Sequence, residues 1–277
     1  MTASPTPFTA ACIQTSATPD IAANIQAASD LVRAAHAKGA KLVLMPENVA
    51  MMDFGRPNIL AKSFPEDKHP ALPAFSALAK ELSLWLHGGS LQILLDDQLV
   101  ANRTYVFSPS GEVAAWYDKI HMFDVDLDGG ESYRESQTFK PGQRAVVAKT
   151  DFGTLGLAIC YDLRFPHLFR ALSKAGATML CAPAAFTRQT GQAHWHVLQR
   201  ARAIENGAYM LSPAQCGEHA GGRQTFGHAL IISPWGEVLA DAGDQPGFIT
   251  ATIDPSEVIA ARKKIPALTH DRPFTLV

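Results

Sequence analysis

The stretch from Gly153 to Pro166, GTLGLAICYDLRFP, ends an apolar run on Cys160 and continues at once into Tyr161, Asp162 and Arg164. A thiol at such a junction can serve as a nucleophile, because the turn that follows brings free backbone N–H groups towards it. A free thiol titrates near pH 8.5, so only a few per cent is thiolate at neutral pH, and a neighbour must take its proton or hold it charged. Cys12 and Cys181 lie inside apolar runs and read as small buried hydrophobes. Cys216 is compatible with either a pocket residue or a structural thiol.

Several residue types could assist Cys160. His121, His167, His194, His196, His219 and His228 could each act as base, and no local feature selects one. A carboxylate fits better. Glu47 directly follows LVLMP, and an ionisable group placed straight after a buried apolar strand is expected to have a raised pKa, which suits a general base. Lys119 lies in WYDKIHMF, an aromatic and apolar setting where a lone lysine reads equally well as a strand-edge charge. The pair His194 and His196 matches neither helical zinc spacing nor a known motif. With no G-x-G-x-x-G, Walker or zinc pattern in the chain, neither a metal nor an organic cofactor is expected.

The elements that must position these groups alternate. A strand over Phe8–Gln14 leads through Thr18-Pro19-Asp20 into a helix with Ile21, Ile25, Ala28, Leu31 and Ala35 on one face, stopped by Gly39. Lys41–Glu47 reads as a buried strand. Leu72, Phe75, Leu78, Leu82 and Trp85 share a helical face, and strands follow near Ser90–Leu95 and Thr104–Phe107. The second half repeats this order: strand Leu155–Cys160, helix Pro166–Ala175, strand Thr178–Phe186, helix His194–Asn206, then strands Tyr209–Pro213 and Ala229–Ser233. Both halves carry the turn Ser-Pro-x-Gly-Glu-Val, beginning at Ser108 and at Ser233. Two like halves, each with helices that must cover a sheet, predict an α/β four-layer αββα sandwich with internal pseudo-two-fold symmetry, formed by a single domain over residues 1–277. Glu47 and Cys160 then fall at the carboxyl ends of strands, where α/β folds usually place their chemistry.

Composition narrows the partners. The 277 residues carry 24 basic and 26 acidic side chains, and no Lys/Arg run offers a phosphate-backbone footprint, so nucleic acid is not expected. No stretch reaches the roughly 18 apolar residues of a membrane span, and the N-terminus lacks a basic region followed by a long apolar core. A cytoplasmic protein is the expectation. The four cysteines are widely spaced with no C-x-x-C pair, which indicates neither a disulfide framework nor a zinc knuckle.

Taken together, LVLMPEN with Glu47, YDKIHMFD with Lys119 and LAICYDLRFP with Cys160 resemble the nitrilase superfamily of carbon–nitrogen hydrolases, in that family's order and spacing. Ala184–Asn206 and Gly227–Val238 also look like family segments, so the resemblance covers nearly the whole chain. It implies an αββα protomer that assembles as a homodimer or higher homo-oligomer. It also implies amide hydrolysis through a thioester, with Cys160 as nucleophile, Glu47 as proton acceptor and donor, and Lys119 with the Tyr161 N–H stabilising the oxyanion. The family's second glutamate falls on Glu131 or Glu135, and Tyr133-Arg134-Glu135-Ser136 is more similar to its pattern.

The small-molecule amide substrate is less defined. Thr187–Gln192, TRQTGQ, reads as a loop at the pocket wall, and Arg164 or Arg188 could clamp a substrate carboxylate with a bidentate fork. PAQCG followed by FGHALIISPWG resembles the deaminated glutathione amidase branch, whereas MPENVAMMDFG and Met122 depart from it. Omega-amidase and N-carbamoyl hydrolase activities stay open. So do two readings of another class: a catalytically idle binding or scaffold protein, which the intact Glu47, Lys119 and Cys160 argue against, and a redox-sensing thiol, for which a resolving partner is missing.

Overall fold

The computed structural model describes residues 6–127 and 132–277, so Glu131 lies outside the described residues. The first half runs β1 (Phe8–Thr15), α1 (Ile21–Ala37), β2 (Ala40–Leu44), α2 (Arg56–Lys62), α3 (Ala71–Leu82), β3 (Trp85–Leu94), β4 (Val100–Phe107) and β5 (Val113–Asp118). A short antiparallel pair follows, β6 (Asp124–Asp126) and β7 (Ser132–Arg134). The second half runs β8 (Val146–Thr150), β9 (Gly153–Leu157), α4 (Pro166–Lys174), β10 (Met179–Cys181), α5 (Arg188–Asn206) and β11 (Tyr209–Ser212). It continues with β12 (Ala214–Glu218), β13 (Gln224–Phe226), β14 (Leu230–Ile232), β15 (Val238–Asp241), β16 (Gly247–Ile253) and α6 (Pro255–Lys264).

Two sheets carry the same motif. In one, β1, β2 and β3 are parallel neighbours, β16 flanks β1 antiparallel, and β4 and β5 extend the other side antiparallel. In the other, β9, β10 and β11 are parallel, β8 flanks β9 antiparallel, and β14 and β15 extend antiparallel. The repeated turn closes the equivalent strand pair in each: Gly111 N donates to Ser108 O at 2.8 Å and Gly236 N to Ser233 O at 2.9 Å. Both glycines sit at φ 85°, in the left-handed region that the turn requires. β12 and β13 break the symmetry: after Pro213 the chain leaves β11 and pairs β12 with the end of β1 in the opposite sheet.

Alternation along the strands sorts the layers. Ala10 and Cys12 of β1, with Leu42 and Leu44 of β2, face a core shared with Leu155, Leu157, Cys181 and Leu211 of the second sheet. Ala11, Ile13 and Val43 face the other way, onto Val32 and Ala35 of α1 and Phe75 and Leu78 of α3. Helices α4 and α5 cover the outer face of the second sheet with Leu168, Phe169, Trp195 and Ala203. The result is the four-layer αββα sandwich. No helix among the described residues is long and apolar enough to cross a membrane.

Several boundaries differ from the expected ones. Trp85 opens β3 instead of ending α3, because Ser83 turns into the left-handed conformation at φ 49° and stops the helix. Lys41–Glu47 and Thr178–Phe186 are strands only as far as Leu44 and Cys181. Beyond Cys181 the chain stays extended, and Pro183, with no N–H to give, only accepts, from Cys160 N at 2.9 Å. Thr187–Gln192 is not a loop. The Thr187 hydroxyl accepts from Thr190 N and caps α5, which starts six residues before His194. Gly191 suggests a turn in the sequence, but it lies in the helix where an added Cβ would stand 2.3 Å from the Phe226 side chain.

Candidate active site

Glu47, Lys119 and Cys160 line one cavity of about 470 Å³, set among the loops that follow the strands. Glu47 lies three residues beyond β2 on a segment clamped from several directions. Ser90 N donates to Pro46 O at 3.2 Å, Val49 N to Ser90 O at 3.2 Å, and the Gln215 side chain on β12 to Glu47 O at 2.9 Å. Its side chain is 4% exposed. Oε1 accepts from Asn102 Nδ2 at 2.9 Å and from Lys119 Nζ at 3.2 Å, and Oε2 accepts from Ala185 N at 2.9 Å.

Lys119 follows the last residue of β5, tied by its N–H to Asn102 O at 3.0 Å. Its ammonium, 2% exposed, lies between two carboxylates, because Glu135 receives it through both oxygens at 2.8 Å. Glu135 is itself oriented by Phe123 N, which donates to Oε2 at 2.6 Å.

Cys160 opens a 3₁₀ turn, Cys160–Arg164, with φ 49°, a conformation that costs a non-glycine residue roughly 1–2 kcal/mol. Asp162 holds that turn. Fully buried, it accepts from Ile159 N at 2.9 Å and Tyr117 Oη at 2.7 Å through Oδ2. Through Oδ1 it accepts from His121 N at 3.0 Å and meets His121 Nδ1 at 2.6 Å. One side chain thus fastens the cysteine turn to both flanks of Lys119.

Burial alone would push the Glu47 carboxyl up, as expected from the sequence. Burial is the largest single influence, but the Lys119 charge, the interaction with Cys160, the Arg223 charge and the Asn102 amide together outweigh it, so Glu47 is held below the ordinary carboxylate range. Burial also pushes the Cys160 thiol up, and the Glu47 charge raises it further against the pull of Lys119. For Lys119, burial favours the neutral amine, but Glu135, Glu47 and Cys160 overcome it and keep the ammonium protonated. The resting site is therefore a carboxylate, an ammonium and a neutral thiol in contact: a base and its proton donor with a cation between two acids.

Of the other expected residues, Tyr161 and Thr187 line the cavity, whereas Arg164 and Arg188 do not. The Arg164 guanidinium lies 5.5 Å from the Phe186 ring and 3.3 Å from His194 Nδ1, and Arg188 is exposed on the first turn of α5. None of the six candidate histidines lines the cavity. Cys12 and Cys181 are in the inter-sheet core, and Cys216, also buried, is pushed by burial up to about 11 and lies outside the cavity. Among the described residues, His196, His228 and Asp241 bring three possible metal-ligand atoms within 4.8 Å of one another, away from the cavity lining. Asn102, Gln215 and Arg223 were not singled out from sequence, and Asp162 was noted beside Cys160 without a role. A polar run, Asn102-Arg103-Thr104, inside an otherwise apolar strand was the signal for the first.

The fold and this site are those of a hydrolase of carbon–nitrogen bonds. The chain belongs to the carbon-nitrogen hydrolase family, whose model matches residues 9–263. It is 39% identical over 266 residues to the deaminated glutathione amidase of Synechocystis sp. (strain PCC 6803 / GT-S), covering 95% of this chain and 98% of that one. Against the human protein of the same name it is 37% identical over 279 residues, covering 96% and 83%. Among solved structures it is similar to the C. elegans NitFhit protein (TM-score 0.90, 33% identity), with 97% of this chain matching 66% of that chain. Saccharomyces cerevisiae Nit3, a member of the nitrilase superfamily, gives a TM-score of 0.86 at 29% identity over 97% of each chain.

Because the thiol is raised, its reactivity should track deprotonation over a wide range. The rate of Cys160 alkylation by iodoacetamide is expected to climb without a plateau from about pH 6 to about pH 9. A plateau reached below neutral pH, measured by mass spectrometry of the Cys160 peptide, would mean a preformed thiolate and contradict this arrangement.

Proposed function

We propose that the protein is an amidase of the deaminated glutathione amidase kind, hydrolysing a small carboxylate-bearing amide through a thioester on Cys160 to an acid and the free amine, which is ammonia where the amide is primary. The observation that carries this is the buried ion pair of Glu47 with Lys119 in the cavity that Cys160 also lines. The relatives' names favour this substrate class over omega-amidase or N-carbamoyl hydrolysis.

Glu47, ionised at rest, takes the Cys160 proton as sulfur attacks the amide carbon. The negative charge that forms on the amide oxygen is met by Lys119 and by the Tyr161 N–H, an early and intrahelically unpaired donor of the 3₁₀ turn. Collapse breaks the C–N bond as Glu47 returns the proton to the leaving nitrogen, giving the thioester and the free amine, ammonia where the amide is primary. Water, losing its proton to the same carboxylate, then attacks the acyl carbon, releases the acid and restores the thiol. Glu135 keeps Lys119 charged and fixed. Tyr161 and Thr187 contact substrate, and Arg164, packed near Phe186, flanks it; Arg188 is assigned no contact.

Purified protein should release the free amine from deaminated glutathione, and ammonia from carboxylate-bearing ω-amides. Cys160→Ala should abolish turnover with the circular-dichroism spectrum unchanged, and Glu47→Gln should lower kcat by about 10²–10⁴. Turnover surviving Cys160→Ala, or none by the wild-type protein on any such amide, overturns the reading.

A cytoplasmic homodimer belongs to the same proposal. Four unpaired cysteines suit a reducing compartment, and Val197 and Ile204 of α5 with Trp235 leave an exposed apolar face for a second copy. Sedimentation should give twice the protomer mass; a monomer at micromolar concentration contradicts the dimer.

A further inference from the structure

Among the described residues, the charges around the cavity do not all find partners. Seven charged side chains of these residues line it: Glu47, Asp53 and Glu135 against Arg56, Lys119, Arg134 and Arg223. Lys119 serves Glu47 and Glu135, Lys62 from outside the lining serves Asp53, and Asp126 serves Arg134. Among the described residues, Arg56 and Arg223 have no carboxylate within ion-pair distance. Arg56 is occupied by neutral groups, the Gln137 carbonyl and, at 2.6 Å, the Gln98 amide oxygen.

Arg223 is placed differently. One Nη donates to Ala185 O at 2.6 Å, and the N–H of that same Ala185 donates to Glu47 Oε2 at 2.9 Å, so guanidinium and base are held by one residue. Its plane is steadied between two rings, with Cζ 5.3 Å from the Phe54 centroid and 5.1 Å from that of Tyr133. Its Nε is buried and has no hydrogen-bond partner among the described residues. A buried guanidinium N–H without an acceptor costs free energy unless something that enters the cavity completes it.

We infer that Arg223 is the subsite for the substrate carboxylate, receiving it through Nε and the remaining Nη donors while the amide carbon rests at Cys160. This rests on the amidase reading above and adds to it the residue that selects an anionic substrate. Guanidinium suits the task because its planar fork matches two carboxylate oxygens at once. A rival role on the same geometry is charge compensation of Glu47, which would affect every amide alike.

The test compares succinamate with 4-methylpentanamide, of similar shape but uncharged, in the wild-type protein and in Arg223→Gln and Arg223→Lys. The wild-type protein should favour succinamate, and Arg223→Gln should cut that preference, read as the ratio of the two kcat/KM values, by about 10–100-fold, mainly through KM. Arg223→Lys, which keeps the charge and loses the fork, should fall between. An absent wild-type preference, or a ratio left unchanged by Arg223→Gln while both rates fall together, overturns the assignment. If the wild-type protein hydrolyses neither amide, the subsite is judged by calorimetry with succinate on Cys160→Ala. Binding should weaken at least about 10-fold when Arg223→Gln is added. No binding, or equal binding, overturns it.

Discussion

One ammonium held dry between two carboxylates and a thiol is the constraint on which the rest of the molecule depends. Removing charges from water costs several kcal/mol for each ion, recovered only where geometry is good and the remaining lone pairs are satisfied. Here they are: Glu47 takes Lys119, Asn102 and the Ala185 N–H, and Glu135 takes Lys119 and the Phe123 N–H. No single element can supply this set. Glu47, Asn102 and Lys119 come from the ends and interior of one sheet, while Cys160 and Ala185 extend strands of the other. Packing two sheets face to face is therefore also what closes the site.

The polarity of the site follows from the same arrangement. Lys119 draws Glu47 down while burial and Glu47 draw Cys160 up, so the proton stays on sulfur until substrate is present. In the proposed mechanism such a thiol becomes nucleophilic only when an amide carbon can take up the electron pair as the proton moves. Asp162 makes that geometry durable. It anchors the strained Cys160 turn and the segment on either side of Lys119 with one buried carboxylate.

Much of this was legible in the chain. Alternating apolar residues gave the strands, and helical spacing gave α1, α3 and α4, because burial on one face dictates both. The shared Ser-Pro-x-Gly-Glu-Val turn pointed to the two matching sheets, and Glu47 and Cys160 betrayed themselves as polar groups ending apolar runs. What escaped the sequence depends on long-range partners. The sign of the Glu47 shift is decided by distant partners acting together, Lys119, 72 residues away, first among them. Gly191 marked a loop in the sequence but answers to the Phe226 side chain, and Trp85 continued a helical face that Ser83 had already ended. Arg223, in a polar stretch of glycines, gave no local hint of the cavity it enters.

The protonation state of the resting site is the most direct test. Infrared difference spectra of the wild-type protein against Cys160→Ala and Glu47→Gln at neutral pH separate the S–H stretch from the carboxylate bands. A present S–H stretch assigned to Cys160, with Glu47 ionised, is the predicted result. A missing S–H stretch together with a protonated Glu47 would show the proton already transferred and contradict the account.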